Sequence, residues 1–322
     1  MILRDPPKYL EPQYGPRNPL IPLPELYPVD PKNWDVSRNA HNQFSIQQSE
    51  MLLKESGCYD NVMQTTLETL TVTDNQIPIL IYRKPGSSSK AIVLYFHGGS
   101  FCMNSAAVFD TASRTLVHEG GYTLVSVDYR LAPEHPFPEG LEDCYSVLEW
   151  VYEYADFCNG SANEIYVAGD SSGGCFAAVI AQMARDRNGP EIKGQILIYP
   201  VTVLQPEKKS LSELTYGKNH LLNYDSSQNP FPYYIQDDEQ KYLPYVSPLY
   251  ADSLADLPPA LILLAGCDPL LDQGLQYAQA LHEDGVSVKC HVFEGMMHGF
   301  ITRSYPDTFD LAKRISNFVM GL

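Results

Sequence analysis

From residue 91 onward, short apolar runs alternate with longer stretches of helical spacing. Residues 91–96, 122–127, 164–168, 195–199, 260–265 and 287–293 are almost continuously hydrophobic. Strands buried on both faces of a parallel sheet have this character. Between them, 106–119, 141–155, 174–187, 271–284 and 307–320 place apolar residues on one helical face. Upstream, Leu-Glu-Thr-Leu-Thr-Val-Thr and Ile-Pro-Ile-Leu-Ile-Tyr-Arg flank Asp74-Asn75 and predict a hairpin at an antiparallel edge. Residues 36–56 suit one or two helices ended by Gly57. The proline-rich stretch 1–35 predicts an extended arm. Together these predict one α/β unit, a mostly parallel central sheet with helices on both faces and right-handed crossovers.

One segment breaks the alternation. Residues 203–250 separate two strands and carry Tyr216, Tyr224, Tyr233, Tyr234, Tyr242, Tyr245 and Tyr250. A structureless connection of that length is unusual, so we read a short-helix insertion that helps cover a site.

Composition narrows the partners. The 322-residue chain is 44% hydrophobic and carries a net charge of −17. Such a surface repels phosphate backbones and anionic headgroups, which excludes nucleic acid and acidic membranes as partners. No apolar stretch approaches the ~20 residues of a membrane span, and the first residues lack the apolar core of a secretion signal. Seven cysteines are scattered without a Cys-x-x-Cys pair. Neither a disulfide framework nor a metal site is expected, and reduced thiols point to the cytoplasm.

The chemistry centres on residues 164–187. An apolar run ends at Gly169, a serine flanked by glycines follows, and an Ala-rich helical run begins. Strand, turn and helix around Gly169-x-Ser171-x-Gly173 make a nucleophile elbow. A serine hydroxyl is a weak nucleophile, so it needs a base and a site for the developing oxyanion. In a doubly wound sheet these lie beyond the C-terminal strand ends, in the chain order Ser, Asp, His. Asp268 follows strand 260–265, and His298 sits in a glycine-bounded stretch beyond strand 287–293. Asp170 is too near the nucleophile to orient the imidazole, and Asp272 suits a helix start or a supporting group. His41, His118, His135, His220, His282 and His291 lack a strand-end context. The expected roles are Ser171 as nucleophile, His298 as acid and base, and Asp268 as the group that orients the imidazole. The glycines of Phe96-His97-Gly98-Gly99-Ser100 free backbone amides to face a substrate oxygen.

These residues resemble a family. His97-Gly98-Gly99-Ser100 is similar to the His-Gly-Gly-Gly motif of hormone-sensitive-lipase-like (bacterial family IV) α/β-hydrolases. Gly169-Asp170-Ser171-Ser172-Gly173-Gly174 resembles the Gly-Asp-Ser-Ala-Gly-Gly elbow of that family, and Asp128-Tyr129-Arg130-Leu131-Ala132-Pro133-Glu134 matches a further segment. Asp268-Pro269-Leu270-Leu271-Asp272 and His298-Gly299-Phe300 match the acid and base motifs. The resemblance covers about residues 70–322. It implies an α/β-hydrolase fold and a cofactor-free carboxylesterase acting on short-to-medium acyl esters. It implies an oxyanion hole from Gly99, Ser100 and Ser172, with Gly98 in the same loop. It implies a division into an N-terminal arm and cap, 1–60, and a catalytic domain, 61–322, in which 203–250 contributes to the cap. A homodimer is compatible with it. Ser100 replaces a glycine and Ser172 an alanine, yet both keep their amides. His97 is expected to be structural, and Arg130 with its acidic neighbours to tie the loop beside the oxyanion strand. Proteins of similar sequence that act as gibberellin receptors lack the histidine, which His298 supplies here. Amide, carbamate or lactone cleavage would use the same machinery.

Overall fold

The computed structural model describes residues 33–217, 222, 231–303 and 306–321. The extended arm expected over 1–35 therefore falls almost wholly outside the described residues. Helix α1 (Trp34–Glu55) and the single turn α2 (Tyr59–Val62) precede the hairpin β1 (Thr66–Val72) and β2 (Ile77–Arg83). Then follow β3 (Ile92–Phe96), α3 (Asp110–Gly120), β4 (Thr123–Val127), α4 (Glu139–Glu153), β5 (Ile165–Asp170), α5 (Ser172–Asp186) and β6 (Gly194–Ile198). After the insertion, which contains α6 (Leu211–Tyr216), come β7 (Ala260–Cys267), α7 (Leu271–Glu283), β8 (Val288–Met297) and α8 (Pro306–Val319).

The eight strands form one sheet in the order β1-β2-β4-β3-β5-β6-β7-β8. The pairs β1–β2 and β2–β4 are antiparallel, and the others are parallel. Alternation within each strand builds two cores. Ile92, Leu94 and Phe96 of β3 join Ile165 and Val167 of β5 in one core, with α4, α5 and α7. Val93, Tyr95, Tyr166 and Ala168 enter the other, with α3 and α8. Both faces are covered, so the central strands read as unbroken apolar runs and not as alternating ones.

Strand order fixes where a ligand can enter. From β3 the chain crosses to β4 on one side and later to β5 on the other. The loops after β3 and β5 thus diverge from adjacent strand ends, and open a crevice at the C-terminal edge of the sheet.

The elements differ from expectation in two places, and the insertion has the short helices expected of it. Residues 106–119 divide into a 3-10 turn, Ala106–Phe109, and α3. Strands β7 and β8 run past 265 and 293 to Cys267 and Met297, with an irregularity in β7 between Ala265 and Cys267. The insertion has α6 and 3-10 turns at Phe231–Tyr233, Asp238–Tyr242 and Pro248–Tyr250, while Tyr224 lies outside the described residues.

Candidate active site

The elbow forms because its glycines leave no room for side chains. A Cβ on Gly169 would collide with the Gly173 carbonyl, and one on Gly173 with the Phe96 carbonyl. Strand β5, helix α5 and strand β3 can therefore meet at backbone contact. Ser171 adopts φ 55°, ψ −120°. A non-glycine residue there costs about 1–3 kcal/mol and persists only under tight constraint. The constraint is visible: the Ser171 amide donates to Ile198 O at 2.9 Å, and its carbonyl accepts from Val201 N at 3.1 Å.

Register brings the other two groups alongside. Cys267 pairs with Met297 across β7 and β8. Asp268 and His298 are the next residues of their chains, so they leave the sheet side by side at its C-terminal edge. His298 Nδ1–H donates to Asp268 Oδ2 at 2.7 Å, and Ser171 Oγ–H donates to His298 Nε2 at 2.8 Å. The second oxygen, Asp268 Oδ1, accepts from Leu270 N at 2.8 Å. Asp268 is fully buried, and Ser171 and His298 are nearly so. Asp268 directly follows its strand, as expected, and the longer β8 puts His298 directly at a strand end as well.

The loop after β3 is anchored by a carboxylate. Phe96 pairs with Gly169, which sets Gly98 beside Asp170. Asp170 Oδ1 accepts from Gly98 N and from Tyr95 Oη, each at 2.8 Å. Burial pushes the Asp170 carboxyl up to about 6, against the lowering effect of these two hydrogen bonds. Gly98 thus spends its amide on Asp170 and supports the loop without offering that donor to a substrate. The amides of Gly99, Ser100 and Ser172 have no acceptor among the described residues. Ser172 opens α5, where the first-turn amides lack helical partners and the dipole favours negative charge.

His97 is structural, as expected. Its ring is buried between Tyr129 and Phe109, and Nδ1–H donates to Gly98 O at 2.9 Å. Burial lowers its affinity for a proton. The charged side chains of the segment 128–134 tie the loop, as expected, through partners on other elements. Arg130 reaches α4, with Nη2 to Asp143 at 2.7 Å and Nη1 to Glu139 at 2.8 Å. Glu134 instead receives Arg38 of α1. Asp272 is a supporting group: its carboxylate accepts from Ser212 N at 2.8 Å, and Ser212 Oγ donates to Pro269 O at 2.8 Å. That ties α6 to the turn carrying Asp268.

The sequence did not reveal the parts played by Asp170, Tyr95, Arg38 or Tyr234, whose buried ring stacks on Phe101 of the loop after β3. For Asp170 a signal existed, since a carboxylate ending a buried strand must find donors. Arg38 and Tyr234 act across long separations and left no local pattern. Among the described residues, no cluster of His, Cys, Asp or Glu suits a metal ion, and no helix is long and apolar enough to cross a membrane.

Known proteins resemble this arrangement. Residues 93–302 match the family described as alpha/beta hydrolase fold. An esterase of Mycobacterium tuberculosis, LipI, is 39% identical over 218 residues, covering 67% of this chain and 68% of that protein. An arylesterase of Saccharolobus solfataricus is 33% identical over 259 residues, covering 79% of this chain and 83% of its own. The solved hyperthermophilic esterase of the archaeon Pyrobaculum calidifontis superposes with a TM-score of 0.79 at 31% identity, covering 89% of this chain and 91% of that one. With the family model matching residues 93–302 and esterase relatives covering two thirds or more of its length, this chain belongs to the α/β-hydrolase family, in its hormone-sensitive-lipase-like (family IV) branch.

Proposed function

We propose that this protein is a serine carboxylic ester hydrolase acting on short-to-medium acyl esters through an acyl-enzyme intermediate. One observation carries the reading: the continuous hydrogen-bond chain from Ser171 Oγ through His298 to the buried Asp268. Ser171 Oγ attacks the ester carbonyl carbon while His298 Nε2 takes its proton. The tetrahedral oxyanion is held by the amides of Gly99, Ser100 and Ser172. The C–O bond to the alcohol breaks as His298 returns the proton to the leaving oxygen. Water then attacks the acyl-enzyme, with His298 as base, and Ser171 is regenerated. Asp268 holds Nδ1–H and stabilises the imidazolium formed in each half. All of these groups come from the chain itself.

Residues 1–60 and the insertion 203–250 form the cap over the catalytic domain 61–322 in this reading. Packing of α1 on the loop after β3 supports this, as does stacking of Tyr234 on Phe101 with ring centroids 3.9 Å apart. The seven cysteines are thiols and not disulfides, which supports a cytoplasmic setting. A homodimer belongs to the same proposal, and light scattering at twice the chain mass would support it.

Replacement of Ser171 by Ala tests the mechanism. With p-nitrophenyl butyrate, kcat should fall by about 10⁴ or more while the fold is kept. Undiminished turnover by that variant would refute the assignment.

A further inference from the structure

The loop from His97 to Asn104 is held in a costly conformation. Ser100, Phe101 and Asn104 have φ of 53°, 66° and 70°. Left-handed backbone is unfavourable for non-glycine residues, so the conformation persists only with support from its surroundings. Some support is local: Cys102 N and Met103 N donate to Gly99 O at 3.0 and 2.8 Å, and Asn104 Nδ2 donates to Gly98 O at 2.9 Å. A neighbouring segment adds Ala132 N to Phe101 O at 3.0 Å.

Asp170 holds Gly98 N, the rings of Phe176 and Tyr234 pack on Phe101, and α1 adds further support. Arg38 Nε donates to Cys102 O at 2.6 Å, and Nη2 donates to Ala132 O at 2.6 Å. These carbonyls belong to the loop and to the segment that braces it. The same guanidinium pairs with both oxygens of Glu134, at 3.0 and 2.6 Å, and its side chain is only 12% exposed. A planar fork can hold two carbonyls and a carboxylate at once, whereas an ammonium cannot reproduce that geometry.

We propose that Arg38 is a positioning residue for the oxyanion hole: by docking α1 onto Cys102 and Ala132 it holds the Gly99 and Ser100 amides where the transition state needs them. The N-terminal helix then contributes to rate as well as covering substrate. This rests on the ester-hydrolase reading above.

The test compares wild type with Arg38→Lys and Arg38→Ala. The wild type is first assayed with p-nitrophenyl butyrate and labelled with a fluorophosphonate; failure of both overturns the hydrolase reading itself. In an active wild type, Arg38→Lys keeps a charge for Glu134 but loses the fork. Its kcat per labelled serine should fall about tenfold to a hundredfold, below the roughly 10²–10³ lost with a whole oxyanion donor. KM and melting temperature should change little. The inhibition constant of a trifluoromethyl ketone, whose adduct places an oxyanion in the hole, should rise by the factor by which kcat/KM falls. A merely structural role would move the melting temperature and leave that proportionality absent. The proposal is overturned if kcat per labelled serine and the ketone constant stay within about twofold of wild type in Arg38→Lys, or if the loss lies in KM alone. Arg38→Ala should lose more of both, and an Ala variant that does not fold leaves the Lys comparison decisive.

Discussion

At the scale of single residues, Asp170 shows how a group outside the Ser–His–Asp chain is tied to the site. Its carboxylate is buried, fixes Gly98 and ends the strand that presents Ser171. Burial raises its pKa from the ordinary 3.8 to about 6. The native state therefore binds more protons than the unfolded chain between these values. The contribution of Asp170 to stability is fully present below about pH 4, is lost as pH rises through 6 and stays absent above it. The interval is worth about 3 kcal/mol. Asp170→Asn keeps an acceptor for Tyr95 and Gly98 but does not titrate. The stability of wild type minus that of Asp170→Asn should thus fall by about 3 kcal/mol between pH 4 and pH 7, as read by urea unfolding. A pH-independent difference would mean that the carboxyl is not the perturbed group. Asp170→Ala strands two buried donors and should cost about 2–4 kcal/mol.

At the scale of elements, the insertion matters through a few buried side chains and not through its tyrosine content as such. Tyr234 is buried, and its ring stacks on Phe101 at an interplanar angle of 10°. Phe176 of α5 and Phe231 complete the cluster, and Phe137 N donates to Tyr234 O at 2.7 Å. Tyr233, Tyr242 and Tyr250 are exposed instead. Truncating Tyr234 to Ala should cost about 3–5 kcal/mol, the usual range for a buried aromatic. It should also loosen Phe101, so melting temperature and kcat should drop together. A surface tyrosine such as Tyr250 should tolerate Ala within about 0.5 kcal/mol.

At the scale of the whole molecule, the two cores and the enclosed thiols set what a reagent can reach. Cys58 and Cys290 are partly exposed, and the other five cysteines are buried. Ellman's reagent should count seven thiols in denaturant and react readily with at most two in the native protein. Fewer than seven after denaturation would reveal a disulfide and weigh against a reducing compartment. In the proposed arrangement α1 and the insertion cap the site, so p-nitrophenyl ester turnover should peak at short-to-medium chains. An optimum at long chains would overturn that part of the proposal.

Much of this was legible along the chain. Period and run length located the sheet and its flanking helices, because burial on both faces demands continuous apolar strands. The elbow, acid and base were readable because chemistry fixes residue type and the doubly wound fold fixes position, at C-terminal strand ends. Only the tertiary structure decided the rest. It extended β7 and β8 until register set Asp268 against His298, gave the Gly98 amide to Asp170, and sent Arg130 to α4 while Glu134 took Arg38. These contacts join residues remote in sequence. A partner that arrives only when two elements pack leaves no periodicity at either position, whereas a residue whose neighbours in the chain dictate its role can be recognised before the fold is known.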